Sequence, residues 1–141
     1  MFEITVDSKS LEAYLDRLTR ELRSGRLLDK VSKAIMFTIV NRTHSGEDYL
    51  GDGFVPYSDR SKKNGRVNLD DTGEMLNNVS YKLLSNEASQ IYIKGARNVS
   101  IALEHMRGKG NTPQRQFFGL GGMEVSVAQD VIEKYLREIL R

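Results

Sequence analysis

A chain of 141 residues with 39% hydrophobic and 28% charged residues is long enough for one domain with a sizeable core, and its composition is that of an ordinary globular protein. A net charge of +2 neither demands nor excludes nucleic acid, and the absence of cysteine rules out disulfides, thiolate chemistry and Cys-ligated zinc. The first ten residues carry acids where a secretory leader needs bases, and no apolar run approaches the ~20 residues of a membrane span, so a cytosolic product without a membrane partner is expected.

Phe2-Glu3-Ile4-Thr5-Val6 alternates apolar and polar residues and predicts a short strand. Ser8 or Ser10 can cap the helix that follows, whose stripe is Leu11, Leu15, Leu18 and Leu22 with Tyr14 beside it. Ser24-Gly25 interrupts the pattern. Helical spacing resumes at Leu28, Val31, Ile35 and Ile39. From Ala34 to Val40 the chain is apolar nearly all round, which predicts an element wrapped on several sides. Helix is the preferred reading there, although periodicity alone does not separate it from a strand.

Residues 44–67 form a long connection with a basic tip (Arg60, Lys62, Lys63, Arg66) and apolar anchor points at Phe54, Pro56 and Tyr57. This is expected to be a partly ordered arm that gains order on contact. Its Glu47, Asp48 and Asp52 sit beside glycines but lack calcium-loop spacing, so a solvated turn is expected. Asp71 and Glu74 have capping-box spacing for a short helix through Asn77. Val79, Tyr81 and Leu83, then Ile91 and Ile93 after a turn near Asn86, predict a hairpin with one apolar face. Asn98 can cap a helix whose face is Val99, Ala102, Leu103 and Met106. The last helix runs from about Met123 to Leu140, its stripe made by Val127, Val131, Tyr135 and Ile139 with Val125, Ala128 and Ile132 alongside. The expected fold class is α+β: a small antiparallel sheet packed by long N-terminal and C-terminal helices, in a single domain.

Between the last two helices lies residues 103–120, LEHMRGKGNTPQRQFFGL. Glycine and proline at that density impose a local path, and Phe117 and Phe118 anchor its end. In an extended segment the doublet sends one ring to each side, one into the home core and one towards a partner. Arg115 can offer its fork to a carboxylate, a phosphate or a row of backbone carbonyls, within the subunit or across a subunit boundary. The segment reads as a rigid docking element. His44 and His105, the two histidines, have no acid or nucleophile near them at a catalytic spacing, and no catalytic residue, metal site or cofactor is expected.

Two stretches together resemble the phage virion-morphogenesis family, the tail-completion proteins of the Mu-like protein G and tail protein S type. The first carries Phe54, Pro56, Tyr57, Ser58, Lys62, Lys63, Leu69, Thr72, Gly73 and Met75. The second carries Ala102, His105 and Gly108, then the run Pro113-x-Arg115-x-Phe117-x-Gly119. The resemblance covers most of the chain from about Phe37 onward. It implies a non-enzymatic structural protein of a phage or prophage virion, assembled in the host cytoplasm, that works in tail completion or head–tail joining as a ring of identical subunits. The implied partners are sister copies and neighbouring head–tail connector or tail-tube proteins, with DNA contact secondary. On this reading Arg115→Ala or Phe117→Ala is expected to be tolerated in expression and to lower assembly onto tails. A different class, a small nucleic-acid-binding module, would use Arg60, Lys62, Lys63, Arg66, Arg107, Lys109 and Arg115, and would bind with a steep salt dependence.

Overall fold

The computed structural model describes residues 2–5, 7–56, 69 and 73–141. The elements in order are α1 (Ser8–Arg23), α2 (Arg26–His44), α3 (Glu74–Asn77), β1 (Val79–Leu83), β2 (Ser89–Ile93), α4 (Ala96–Arg107) and α5 (Gly122–Ile139). The α+β expectation holds: β1 and β2 form a two-stranded antiparallel sheet in which Val79 faces Ile93 and Tyr81 faces Ile91.

Helix α2 is the shared support, with the hairpin and α5 both packed against it. That double contact explains why Ala34–Val40 is apolar on several faces, and it resolves the segment as helix. The wrapping is incomplete, however, since Phe37 stays 50% exposed. Polar residues enter this packed helix because their hydroxyls return to carbonyls one turn back: Ser32 to Leu28, Thr38 to Ala34 and Thr43 to Ile39. Two side-chain bonds fasten the hairpin to it, Tyr81 Oη donating to Asp29 Oδ1 at 2.9 Å and the Ser32 and Ser89 hydroxyls meeting at 2.6 Å. The Asp29 bond is the main reason the Tyr81 phenol titrates above its ordinary range.

The buried cluster is Phe54, Leu69, Met75, Leu76, Val79, Ala102 and Phe117, with Met36, Val40, Ile91, Ile93, Ile101, Met106 and Phe118 packed around it. Its members come from α2, the 44–67 connection and Leu69 beyond it, α3, the hairpin, α4 and the 103–120 segment. Most of the domain therefore shares one core, and the core sits directly behind that segment.

Several local expectations are corrected. Residues 2–5 form no strand, and Phe2 and Ile4 are fully exposed; an alternating pattern becomes a strand only where another strand offers a ladder, and among the described residues β1 and β2 pair with each other alone. Helix α1 is capped by Asp7, whose carboxylate accepts from Lys9 N and Ser10 Oγ, so the serine serves the cap without being it. The Ser10 bond is the first reason that carboxyl titrates below its usual range. No α1 residue is buried, so the helix covering the sheet is α2 and not the first one, and the C-terminal helix α5 packs on α2 rather than on the sheet.

Helix α3 starts from Gly73 at φ 78°, which puts Glu74 at the first helical position and not at the third that a capping box requires; Asp71 lies outside the described residues. Helix α4 starts from Gly95. Asn98 falls inside its first turn and donates Nδ2 to Lys94 O at 2.9 Å, while Val99 and Leu103 point outward at 39% and 41% exposure. In α5, Tyr135 and Ile139 are buried as expected, but Val125 is half exposed.

Candidate assembly corner

The last carbonyls of an α-helix have no partner within it. In α4 the following segment supplies them: Gly108 N donates to Glu104 O, Arg115 N to His105 O at 2.7 Å, and Gln114 Nε2 to Met106 O at 2.9 Å. The chain must fold back sharply to do this. Gly108, at φ 70°, makes the first bend, where a Cβ would stand 3.2 Å from Thr112 O and Gln114 N. Lys109 and Thr112 then close a small loop through Thr112 N to Lys109 O. Half-buried Pro113 carries the chain out of that loop. Next, Phe117 N bonds back to Arg115 O, a γ-turn that places the Phe117 ring wholly inside the core. Phe118 packs edge-on against it with centroids 6.1 Å apart and stays partly accessible. One ring is thus inside the home core as expected, and the other packs on the edge of the same core.

Arg115 is 4% exposed and uses its fork on backbone carbonyls, Nε donating to Val55 O at 2.9 Å and Nη2 to Pro56 O at 3.2 Å. The first of the two sequence blocks is thereby bonded to the second. Phe54 and Met75 of the first block lie in the same buried cluster as Ala102 and Phe117 of the second. Both prolines of the chain are at this junction, one offering its carbonyl to Arg115 and the other two residues before it. Burial at 4% leaves little of Arg115 at the surface. Arg107 and Lys109 remain exposed, and Lys109 stands 3.8 Å from Glu104. Tyr57, Thr72 and the basic tip of Arg60, Lys62, Lys63 and Arg66 lie outside the described residues.

A second arginine, not singled out from the sequence, holds the other side of the corner. Arg42 and Glu124 form an ion pair at 2.6 Å with both side chains 0% exposed. Arg42 Nη1 donates to Glu47 O at 3.1 Å, and Nη2 donates to Phe117 O at 2.9 Å and Gly119 O at 3.4 Å. Glu124 spends its second oxygen on Gly121 N at 3.0 Å, which caps α5. The pair is thus surrounded by the hydrogen bonds a buried charge requires. A positional signal for it exists. Arg42 continues the α2 stripe one turn after Ile39, and Glu124 heads the α5 stripe of Val127, Val131 and Tyr135.

The loop after α2 fits against this assembly. Asp48 Oδ1 accepts from Leu50 N and Asp52 N at 2.9 Å each, so the expected turn forms and its carboxylate is occupied in shaping it. Tyr49 N donates to Gln116 O at 3.0 Å, and the Tyr49 backbone presses so closely on α5's start that a Cβ at Gly121 would sit 1.6 Å from Tyr49 O. A Cβ at Gly119 would sit 2.9 Å from the Tyr49 ring. These two glycines are needed for contact distance, not for a left-handed backbone.

Together, residues 46–56 and 113–121 are stitched by two buried arginines into one unit. Arg42, Arg115 and Glu124 hold it together through bonds to backbone groups and to each other. Among the described residues no group of three His, Cys, Asp or Glu side chains is placed to hold a metal ion. No described helix is long and apolar enough to cross a membrane. No protein-family model, curated protein or solved structure matches the chain.

Proposed function

We propose that this chain is a non-enzymatic assembly protein of a phage or prophage virion, acting in tail completion or head–tail joining as a ring of identical subunits. The observation that carries the reading is the convergence of the two tail-completion-like blocks: Arg115 of the second is bonded to Val55 and Pro56 of the first, and their aromatic residues share one core. Two motifs some sixty positions apart that meet in one rigid corner behave as one functional unit. The outward side of that corner is apolar. Phe118 and Leu120, the latter 61% exposed, line a groove of about 320 Å³ with Val31, Ile35 and Ile91. Such a groove suits a protein neighbour packed against it. Sister copies stacked head to tail through it would close into a ring when the rotation per subunit closes.

Burial changes how this is tested. Arg115 and Phe117 lie inside, so replacing them tests the fold before it tests assembly. Leu120→Asp alters only the outer side. Extracts of a phage deleted for this gene are expected to regain infectious particles when the purified chain is added, and the Leu120→Asp chain is expected to restore at least tenfold fewer, as a charge placed in an apolar contact costs about that or more. Undiminished particle yield without the gene would contradict the proposal.

A further inference from the structure

Among the described residues helix α1 is the one long element with no buried residue, although its leucines recur at the 4-3-4 spacing of a packed seam. Leu11, Tyr14, Leu15 and Leu22 remain 41–50% exposed. A 16-residue helix is marginal in water on propensity alone and depends on packing of its apolar face.

Among the described residues the chain's own body covers only half-buried Leu18 and leaves the rest of that face open. The α1–α2 bend is set by Ser24 N bonding to Arg20 O and Glu21 O, and by buried Gly25 at φ 78°. Tyr135 Oη donates to Glu21 Oε2 at 2.7 Å, fixing the last turn of α1 onto α5. With both the bend and the far anchor set, the stripe projects from the molecule.

We infer that the leucine stripe of α1 docks onto a second copy of this chain, in the groove between its α2 and α5. That groove, about 370 Å³, is floored by Ala34, Phe37, Val131 and Tyr135 and rimmed by Lys30, Lys33 and Lys134, with one acid, Glu138. The charges nearest the α1 stripe are acids, Glu12 and Glu21 at the positions flanking Leu15 and Leu18 on the helical wheel; Glu21 is held at home by Tyr135 and Arg26, so exposed Glu12 is the acid that faces the lysines. An apolar stripe edged by acids thus meets an apolar floor edged by lysines. The exposed Phe37 ring is the largest apolar group there and supplies an anchor. Two alternatives are less well matched. Pairing of α1 with another α1 has only two heptads of seam, short of the three or four a coiled coil needs. A lipid surface favours a basic polar face, whereas that of α1 mixes Lys9, Arg17, Arg20 and Arg23 with Glu12, Asp16 and Glu21.

The identity of the partner as a sister copy rests on the assembly reading above; the surfaces that meet are new to it. Because the chain has no cysteine, the contact can be read by disulfide trapping. Full-length Leu15→Cys and Phe37→Cys chains, mixed and oxidised, are expected to give a mixed dimer, and Leu15→Cys mixed with Leu84→Cys is expected to give none. Sedimentation of the full chain should show self-association that Leu15→Glu weakens tenfold to about a hundredfold without changing the unfolding midpoint. The inference is overturned by a monomer at every concentration, by Leu15→Cys joining mainly to itself, or by a Leu15→Cys/Phe37→Cys chain closing within one molecule. If trapping fails while Leu120→Asp still blocks particle formation, the α1 contact falls alone. If both fail, the assembly reading falls with it.

Discussion

Replacing Arg42 with Met lowers the free energy of unfolding by about 3–5 kcal/mol, the usual cost of breaking one partner out of a buried pair. Glu124 would be left without its counter-charge at 0% exposure, and the carbonyls of Glu47 and Phe117 would each lose a donor. A loss of that size is a large share of the 5–15 kcal/mol that typically holds a domain together. Urea titration of the full chain measures it. The double variant Arg42→Met/Glu124→Leu is expected to cost less than the two single changes summed, because the stranded charge disappears. It does not return to the parent value, since the backbone groups at Glu47, Phe117 and Gly121 stay unpaired at about 1–3 kcal/mol each when buried. Additive single and double effects would mean that the pair is not coupled as its 2.6 Å contact requires.

Phe117→Ala is the second large effect, about 3–5 kcal/mol, because the ring is fully enclosed and the fixed γ-turn prevents the corner from collapsing into the space. Phe118→Ala should cost only about 1–2 kcal/mol, its ring being partly accessible already. Thermal or urea unfolding of the two variants side by side distinguishes the residue that holds the corner from its neighbour on the surface. Equal losses would contradict the assignment of one ring to the inside and one to the outside.

Much of this architecture is legible in the residue pattern, for a reason that also marks its limit. The 3.6-residue period announces α2 and α5, and the 2-residue period announces the hairpin, because each has a face packed on the core. Periodicity reports that a face is apolar, though, and not what covers it. The α1 stripe has the spacing of a core helix, yet among the described residues most of it stays exposed. Phe2 to Val6 alternates like a strand, yet residues 2–5 find no strand to pair with among the described residues. At helix starts, glycines at positive φ (Gly73 and Gly95) took positions where Asp71 and Asn98 looked like caps. The corner's outline could be read from Gly108, Pro113 and the phenylalanines, since backbone-restricting residues carry geometry in their identity. Its interior could not. Arg42 and Glu124 lie 82 positions apart and look like ordinary helix charges until the fold brings them together.

The central claim is that loop 46–56 and corner 113–121 form one rigid unit, and amide hydrogen exchange on the full chain tests it most directly. The amides of Tyr49, Arg115 and Gly121, bonded to Gln116 O, His105 O and Glu124 Oε2, should exchange slowly and together, and should all speed up in Arg42→Met. Exchange at those three sites as fast as in an unfolded peptide, with α2 and α5 still protected, would contradict it.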